Sequence, residues 1–265
     1  MPFPRSPLFF CFLLLTPCAT AAEWSFVQVD HSNVPAGTCR TSAWSSRLPD
    51  GTKRAFTSTA LLLAANTRIT FVEQPVAIKE PGHSVADVMR TKAGIAAING
   101  GYFTNEFTPA GLLRIDERTV SPKSDEAVLS GFIAIDATGK LTLRTRDDKL
   151  DDVTSARQSG PFIIDPGGNV GIKWGDKPAF ARRSMIAATI DGYLALIATT
   201  DVSLFDLATC LHEHPDGFGL AHVERALNLD GGPSTALCML GRNEPIVFSE
   251  KAPVRDVVVV LATGK

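Results

Sequence analysis

Short apolar runs, each cut off by glycine, proline or aspartate, constrain this chain more than any other feature. Trp24-Ser25-Phe26-Val27-Gln28-Val29 and Ala60-Leu61-Leu62-Leu63-Ala64 lie in a region, residues 23–80, that reads as strands of a sheet. Ile95 to Ile98, Ala226 to Leu229 and Val257 to Leu261 read as buried strands. Phe132 to Ile135 and Leu141 to Leu143 flank Ala137-Thr138-Gly139-Lys140, which predicts a hairpin. Met185 to Ile190 and Tyr193 to Ala198 flank Asp191-Gly192, the strongest hairpin signal in the chain, read as a two-residue loop.

Only two segments carry helical spacing. Ser84 is placed to cap a short helix with Val85, Val88 and Met89 on one face, stopped by Gly94. Ser203 is placed to cap a second, in which Leu204, Leu207, Cys210 and Leu211 recur. Strands interrupted by two main helices predict an α+β fold, a single domain with a mixed or mostly antiparallel sheet. Neither repeat nor low-complexity linker divides residues 23–265.

Residues 1–22 have the layout of a secretory signal peptide. Arg5 supplies positive charge, Leu8 to Leu15 an apolar run too short to span a bilayer, and Ala19-Thr20-Ala21 a cleavage site. Cleavage after Ala22 is the alternative, and either implies an exported, periplasmic or secreted protein beginning near Glu23. No other apolar stretch reaches spanning length, so stable membrane insertion is not expected. The formal charge of the 265-residue chain is only −2, without a run of Lys or Arg, which makes nucleic acid a poor partner. Beyond the leader, Cys39, Cys210 and Cys238 are an odd set. A Cys210–Cys238 bridge and three buried thiols both remain open.

Four segments set polar groups and glycines beside apolar strands. Asn99-Gly100-Gly101-Tyr102-Phe103 follows one strand; its glycines permit a turn or a close ligand, and its aromatic pair can stack on a sugar. Ser159-Gly160 of Gln158-Ser159-Gly160-Pro161 offers a hydroxyl and amides where a strand begins. Arg182-Arg183-Ser184 leads into another strand, and a guanidinium fork matches phosphate oxygens. Asn228-Leu229-Asp230-Gly231-Gly232-Pro233-Ser234-Thr235 ends a fourth. A carboxylate there is costly unless paired or at work, and the hydroxyls and amides beyond it suit an anion.

Together, in this order across roughly residues 60–265, the four segments resemble the phosphodiester glycosidase family. The resemblance implies hydrolysis of the bond between an anomeric carbon and a phosphate oxygen in a carbohydrate phosphodiester, with a sugar such as N-acetylglucosamine. The departing phosphodiester is a weakly basic anion, so the site needs cation stabilisation, an activated water or nucleophile, and donors to phosphate. The resemblance implies Asp230 as the carboxylate, Arg183 or its neighbour Arg182 on phosphate, and Asn99 and Ser159 on sugar hydroxyls or phosphate oxygens. Gly100, Gly101, Tyr102, Phe103, Gly160, Ser184, Gly231, Gly232, Ser234 and Thr235 complete the expected substrate contacts. Glu224 is a weaker second-carboxylate candidate. The residues identify no particular cofactor, and a carboxylate-bound divalent cation such as calcium stays open.

Three other readings compete. Gly232-Pro233-Ser234-Thr235-Ala236 nearly spells a serine-hydrolase elbow, but all five histidines (His31, His83, His212, His214 and His222) precede Ser234, against the order that fold requires. His212 and His214, two residues apart, point to different faces of a helix and suit zinc poorly. A non-catalytic carbohydrate-binding protein of the envelope would keep the glycines and aromatics yet have no need of Asp230.

Overall fold

The computed structural model describes residues 23–75, 83–173 and 179–262. The leader, and residues 76–80 of the region read as strands, lie outside them. Among the described residues three sheets carry the fold, and every strand pairing is antiparallel. The largest has eight strands, ordered Glu23–Val34, Gly37–Arg47, Lys53–Leu63, Leu194–Val202, Ala181–Thr189, Val223–Asn228, Phe162–Asp165 and Asn169–Val170. A five-stranded sheet runs Arg118–Ser121, Leu113–Ile115, Ser155–Ser159, Gly131–Ile135, Leu141–Thr145. A second runs Ile246–Phe248, Leu237–Met239, Gly94–Asn99, Asp256–Leu261, Arg68–Glu73. The fold is thus richer in sheet than the α+β expectation. Among the described residues the only α-helices are α1 (Val85–Thr91) and α2 (Leu204–Glu213).

The strands read as continuous apolar runs because both faces of the sheets are covered. Successive side chains point to opposite faces. Leu61, Ile186, Leu196 and Leu227 enter a central core with Ile98 and Val258 of one small sheet and Ile133 and Leu143 of the other. Their neighbours Ala60, Met185, Ala187, Ala195, Ile197 and Ala226 face the opposite way, toward Leu207, Ala208 and Leu211 of α2. Val257, Val259 and Ala97 meet Val85, Val88 and Met89 of α1. The helices therefore cap outer faces, and the three sheets share one interior.

Both helix starts follow the sequence. The Ser84 hydroxyl accepts the Asp87 amide in a reciprocal capping box, and Ser203 accepts the Asp206 amide at 3.0 Å. The end of α1 does not follow it. Lys92 is the C-cap, Ala93 takes the left-handed conformation (φ 52°), and Gly94 already begins a strand. Glycine is needed there for space: a Cβ on Gly94 would lie 2.6 Å from Val259 Cγ1.

The hairpin at Asp191-Gly192 uses a three-residue loop, a correction to the two-residue reading. Thr189 donates its amide to Tyr193 (2.9 Å), Gly192 donates back to Thr189 (2.9 Å), and Gly192 holds φ 81°. Gly51 and Gly139 occupy the same position in the loops closed by Leu48–Thr52 and Asp136–Lys140. This is the turn followed by a left-handed glycine that three-residue hairpins favour.

Cys39, Cys210 and Cys238 are all free and buried, which settles the pairing left open by the sequence. Burial raises each thiol's pKa, that of Cys39 to about 11. Among the described residues no helix is long and apolar enough to cross a membrane.

Candidate functional site

Antiparallel pairing brings the four segments to one edge of the molecule. Gly94–Asn99, Ser155–Ser159 and Val223–Asn228 end there, while Ala181–Thr189 and Asp256–Leu261 begin there. Backbone bonds stitch the ends together: Leu229 donates to Ser184 (2.9 Å), Asp230 to Gly100 (3.2 Å), Asn228 to Pro161 (3.1 Å) and Gly100 to Asp256 (2.8 Å).

The predicted residues divide into a buried frame and a half-exposed face. Asn99 belongs to the frame and is fully buried. Its amide donates to the carbonyl oxygens of Asp230 (2.8 Å) and Gly100 (3.2 Å), and its oxygen accepts from Ser184 Oγ (2.6 Å) and the Ala236 amide (3.0 Å). Its hydrogen-bonding capacity is spent on the protein. Ser184 is spent in the same bond, and Ser159, also buried, donates to the Asn228 carbonyl (2.8 Å). These three are sequestered from a ligand, contrary to the expectation that they contact it.

Gly100 and Gly101 likewise make room for protein, where the sequence suggested room for a ligand. Beneath them lies an ion pair that the sequence reading missed, Arg157 Nε to Asp256 Oδ2 at 3.0 Å, with both side chains unexposed. A Cβ on Gly100 would lie 1.7 Å from Asp256 Oδ1, and one on Gly101 2.7 Å from Arg157 Cζ. Asp256 Oδ1 also accepts the Gly101 amide (3.3 Å), while Arg157 donates to the carbonyls of Ala110 (2.9 Å) and Tyr102. Removing two charges from water is tolerable only with partners this complete. The rule that flagged Asp230, an ionisable group abutting an apolar strand, applies equally to Asp256 before Val257–Leu261 and to Arg157 within its strand.

The half-exposed face consists of Asp230, Tyr102, Arg183 and the glycines Gly231 and Gly232. Burial raises the Asp230 pKa to about 6, the nearby Asp256 charge adding to the rise. Bonds from the Ser234 hydroxyl and the Gly231 amide (2.9 Å) pull the other way. Tyr102 donates its phenol to the Gly160 carbonyl (2.8 Å) and accepts from Asn228 Nδ2. Burial, and then the charge of Asp230, push its pKa to about 12, while Arg183 lowers it. Arg183 is held by the carbonyls of Val202 (Nε, 3.1 Å) and Ala179 (Nη2, 2.6 Å). Its Nη1 lies 3.9 Å from where a Gly231 Cβ would stand.

Arg182 and Arg183 are neighbours on a strand and diverge, as period-two geometry requires. Arg182 donates to the carbonyls of Thr235 (2.7 Å) and Ser249 (2.5 Å) and lies 4.4 Å from the Phe248 ring centroid. The arrangement separates the two guanidinium groups that the sequence could not rank. Thr235 is buried and its hydroxyl has no hydrogen-bond partner among the described residues. Phe103 turns to an edge contact with Phe107, with centroids 4.9 Å apart.

Glu224 stands away from Asp230. Its carboxylate pairs with Arg225 and accepts the Gly167 amide (3.1 Å), at the start of the strand Val223–Asn228 that Asp230 follows. His212 lies at that distant end, bonded to the Gly168 carbonyl (2.9 Å). Ser234 therefore has a carboxylate as its partner, which does not suit a nucleophilic serine. No group of three or more His, Cys, Asp or Glu side chains able to hold a metal ion occurs among the described residues.

A desolvated carboxylate on a glycine-bearing loop, with a guanidinium beside that loop and a phenol that feels both charges, defines a class of site suited to chemistry on an anionic substrate. The phosphodiester glycosidase family model matches residues 92–261, and the chain belongs to that family. Comparison with curated proteins returns no match. Among solved structures, the chain is similar to the zebrafish N-acetylglucosamine-1-phosphodiester alpha-N-acetylglucosaminidase catalytic domain auto-inhibited by pro-peptide. The TM-score is 0.63 and the identity 16%, over 91% of this chain and 88% of that one. A putative exported protein from Burkholderia pseudomallei K96243 aligns at TM-score 0.56 and 11% identity over 98% and 100%. A hypothetical protein from Synechocystis aligns at 0.56 and 14% over 84% of this chain and 62% of its own. At these identities the likeness is one of fold.

Proposed function

We propose that this chain is an exported hydrolase of glycosyl phosphodiesters in the cell envelope, cleaving between the anomeric carbon and a phosphate oxygen. Residues 1–22 serve as its leader and residues 23–265 as one catalytic domain. The observation that carries the reading is the partly buried Asp230 carboxylate, its pKa raised to about 6 by burial, with the Tyr102 phenol near enough to feel both its charge and that of Arg183.

In this reading Asp230 is ionised at neutral pH. It opposes the positive charge that develops on the sugar ring and draws the proton from the attacking water. The water oxygen forms a bond to the anomeric carbon as the bond from that carbon to the phosphate oxygen breaks. The phosphate leaves with the electron pair as a weakly basic anion, so no strong general acid is needed. Arg183 Nη1 supplies charge and a donor to that anion. Tyr102, whose own proton is committed to Gly160, offers its ring to the sugar. Asn99, Ser159 and Ser184 act as positioning residues that fix the loops bearing Asp230 and Arg183. N-acetylglucosamine is the proposed sugar, in keeping with the activity named for the zebrafish protein.

The test is sugar release from p-nitrophenyl and methyl N-acetylglucosamine-1-phosphodiesters by the purified protein and by Asp230→Asn. The expected outcome is turnover that the substitution lowers at least ~10³-fold. Binding of the sugar phosphate without turnover in either protein would leave a carbohydrate-binding protein and end the proposal. Sequencing the N-terminus of the protein recovered from outside the cytoplasm tests the leader.

A further inference from the structure

The buried pair of Arg157 and Asp256 is more than filling the core requires. An ion pair taken out of water gains little or nothing in stability over apolar side chains of the same volume. This one also forbids a side chain at Gly100 and Gly101, where a Cβ would stand 1.7 Å from Asp256 Oδ1 and 2.7 Å from Arg157 Cζ. Both of its side chains are unexposed. Packing alone does not account for it.

The pair governs where the turn from Gly100 to Tyr102 sits. Gly100 donates its amide to the Asp256 carbonyl (2.8 Å), and Gly101 donates to the Asp256 carboxylate (3.3 Å). Arg157 donates Nη2 to the Tyr102 carbonyl and Nη1 to that of Ala110 (2.9 Å). The Ala110 amide returns to the Tyr102 carbonyl (2.8 Å). On its other side the turn meets the loop of Asp230, whose amide donates to the Gly100 carbonyl (3.2 Å). One guanidinium and one carboxylate thus hold the backbone of Tyr102 and, through Gly100, that of Asp230.

Charge acts along the same short path. The Ser234 hydroxyl and the Gly231 amide favour the Asp230 anion; Asp256 opposes it and Arg157 favours it, Asp256 being the stronger of the two. Tyr102 feels the charges of both Asp230 and Arg183. Arg255, next to Asp256 on its strand, is paired with Glu73 at 2.8 Å. On balance the buried pair works against the anion, which makes Asp230 a better proton acceptor than burial alone would.

We propose that Arg157 and Asp256 are positioning residues for the reaction at Asp230: they seat the Gly100–Tyr102 turn against its loop and strengthen it as a base. The consequence for turnover rests on the hydrolase reading above; the effect on Asp230 does not.

Carbon NMR of protein labelled at its aspartate carboxyls follows the titration of Asp230 with or without a substrate, its signal assigned from Asp230→Asn. Asp256→Asn removes the opposing charge and leaves Arg157 to favour the anion. Arg157→Gln/Asp256→Asn removes both charges and keeps two amides able to bond each other. Arg157→Lys keeps both charges and loses the fork. The titration midpoint is expected to fall from wild type to the double variant and further to Asp256→Asn, and to hold at the wild-type value in Arg157→Lys. The acid limb of kcat/KM should follow the same order. In Arg157→Lys kcat should fall at least ~10-fold although the midpoint holds, because the turn is displaced. Thermal unfolding identifies any variant that does not fold, and the remaining ones carry the comparison with wild type. A midpoint unmoved by loss of the Asp256 charge, or an unchanged kcat in Arg157→Lys, overturns the proposal. If the wild type turns over no phosphodiester, the hydrolase reading fails by itself, and the order of midpoints still decides whether the pair governs Asp230.

Discussion

Asp230→Asn should make the protein more stable at neutral pH while abolishing activity. Folding raises the Asp230 pKa from 3.8 to about 6, with burial as the largest cause. The folded state therefore binds the proton more tightly than the unfolded chain. Its penalty is absent below pH ~4, grows as pH rises, and is complete above pH ~6. The full move corresponds to about 3 kcal/mol, and partial exposure of the group reduces this to ~1–2 kcal/mol. Asparagine is nearly isosteric, keeps an acceptor for the Gly231 amide and carries no charge. A gain of that size raises the melting temperature by about 3–6 °C for a domain of this length. The assay is thermal unfolding of both proteins at pH 4 and pH 7.5. The difference should be near zero at the lower pH and favour the variant at the higher. A variant less stable at pH 7.5, or a gain of equal size at both pH values, would refute the reasoning that burial of charge dominates this site.

Other expectations follow from the same geometry. The pH profile of kcat/KM should fall below pH ~6 as Asp230 takes up its proton; a profile flat to pH 4.5 contradicts the ionised form as the active one. Arg183→Lys should lower kcat/KM by ~10²-fold without unfolding the protein, because one ammonium cannot replace a fork held at two carbonyls. Arg182→Lys should instead show mainly in thermal unfolding. Asp256→Ala should cost ~3–5 kcal/mol in denaturant unfolding by stranding the Arg157 charge. Gly100→Ala should leave little folded protein in an expression trial, with its Cβ 1.7 Å from Asp256 Oδ1. Gly232→Ala meets no atom within 4 Å and should lose only ~1 kcal/mol for its left-handed backbone.

Local signals in this chain reported local structure faithfully. Ser84 and Ser203 cap helices because a hydroxyl before an apolar periodic run satisfies free amides, a relation contained within four residues. Glycine at Gly139 and Gly192 marked hairpins because a positive φ is a property of one residue. Loop length was less legible, since Ile190 belongs equally to a strand pattern and to a turn. The grouping of strands into three sheets depended on long-range partners, such as Met185 with Asn228 and Val257 with Asn99, that no spacing encodes.

The sequence by itself marked out four segments, three of them bearing glycine, and it singled out Asp230, because a carboxylate at the end of an apolar strand is anomalous without reference to the rest of the fold. Tertiary structure decided what each member does. Gly100-Gly101 reads like a ligand opening, yet its missing side chains are filled by Arg157 and Asp256, which lie 57 and 156 residues beyond Gly100 in the numbering. Asn99 looks like a substrate contact until its four partners, from Gly100, Ser184, Asp230 and Ala236, are in place around it. Arg182 and Arg183 are chemically identical in one dimension and acquire different surroundings only when a strand sends them to opposite faces. Residue type fixes which bonds a group can make; which bonds remain for a ligand depends on what the fold has already used.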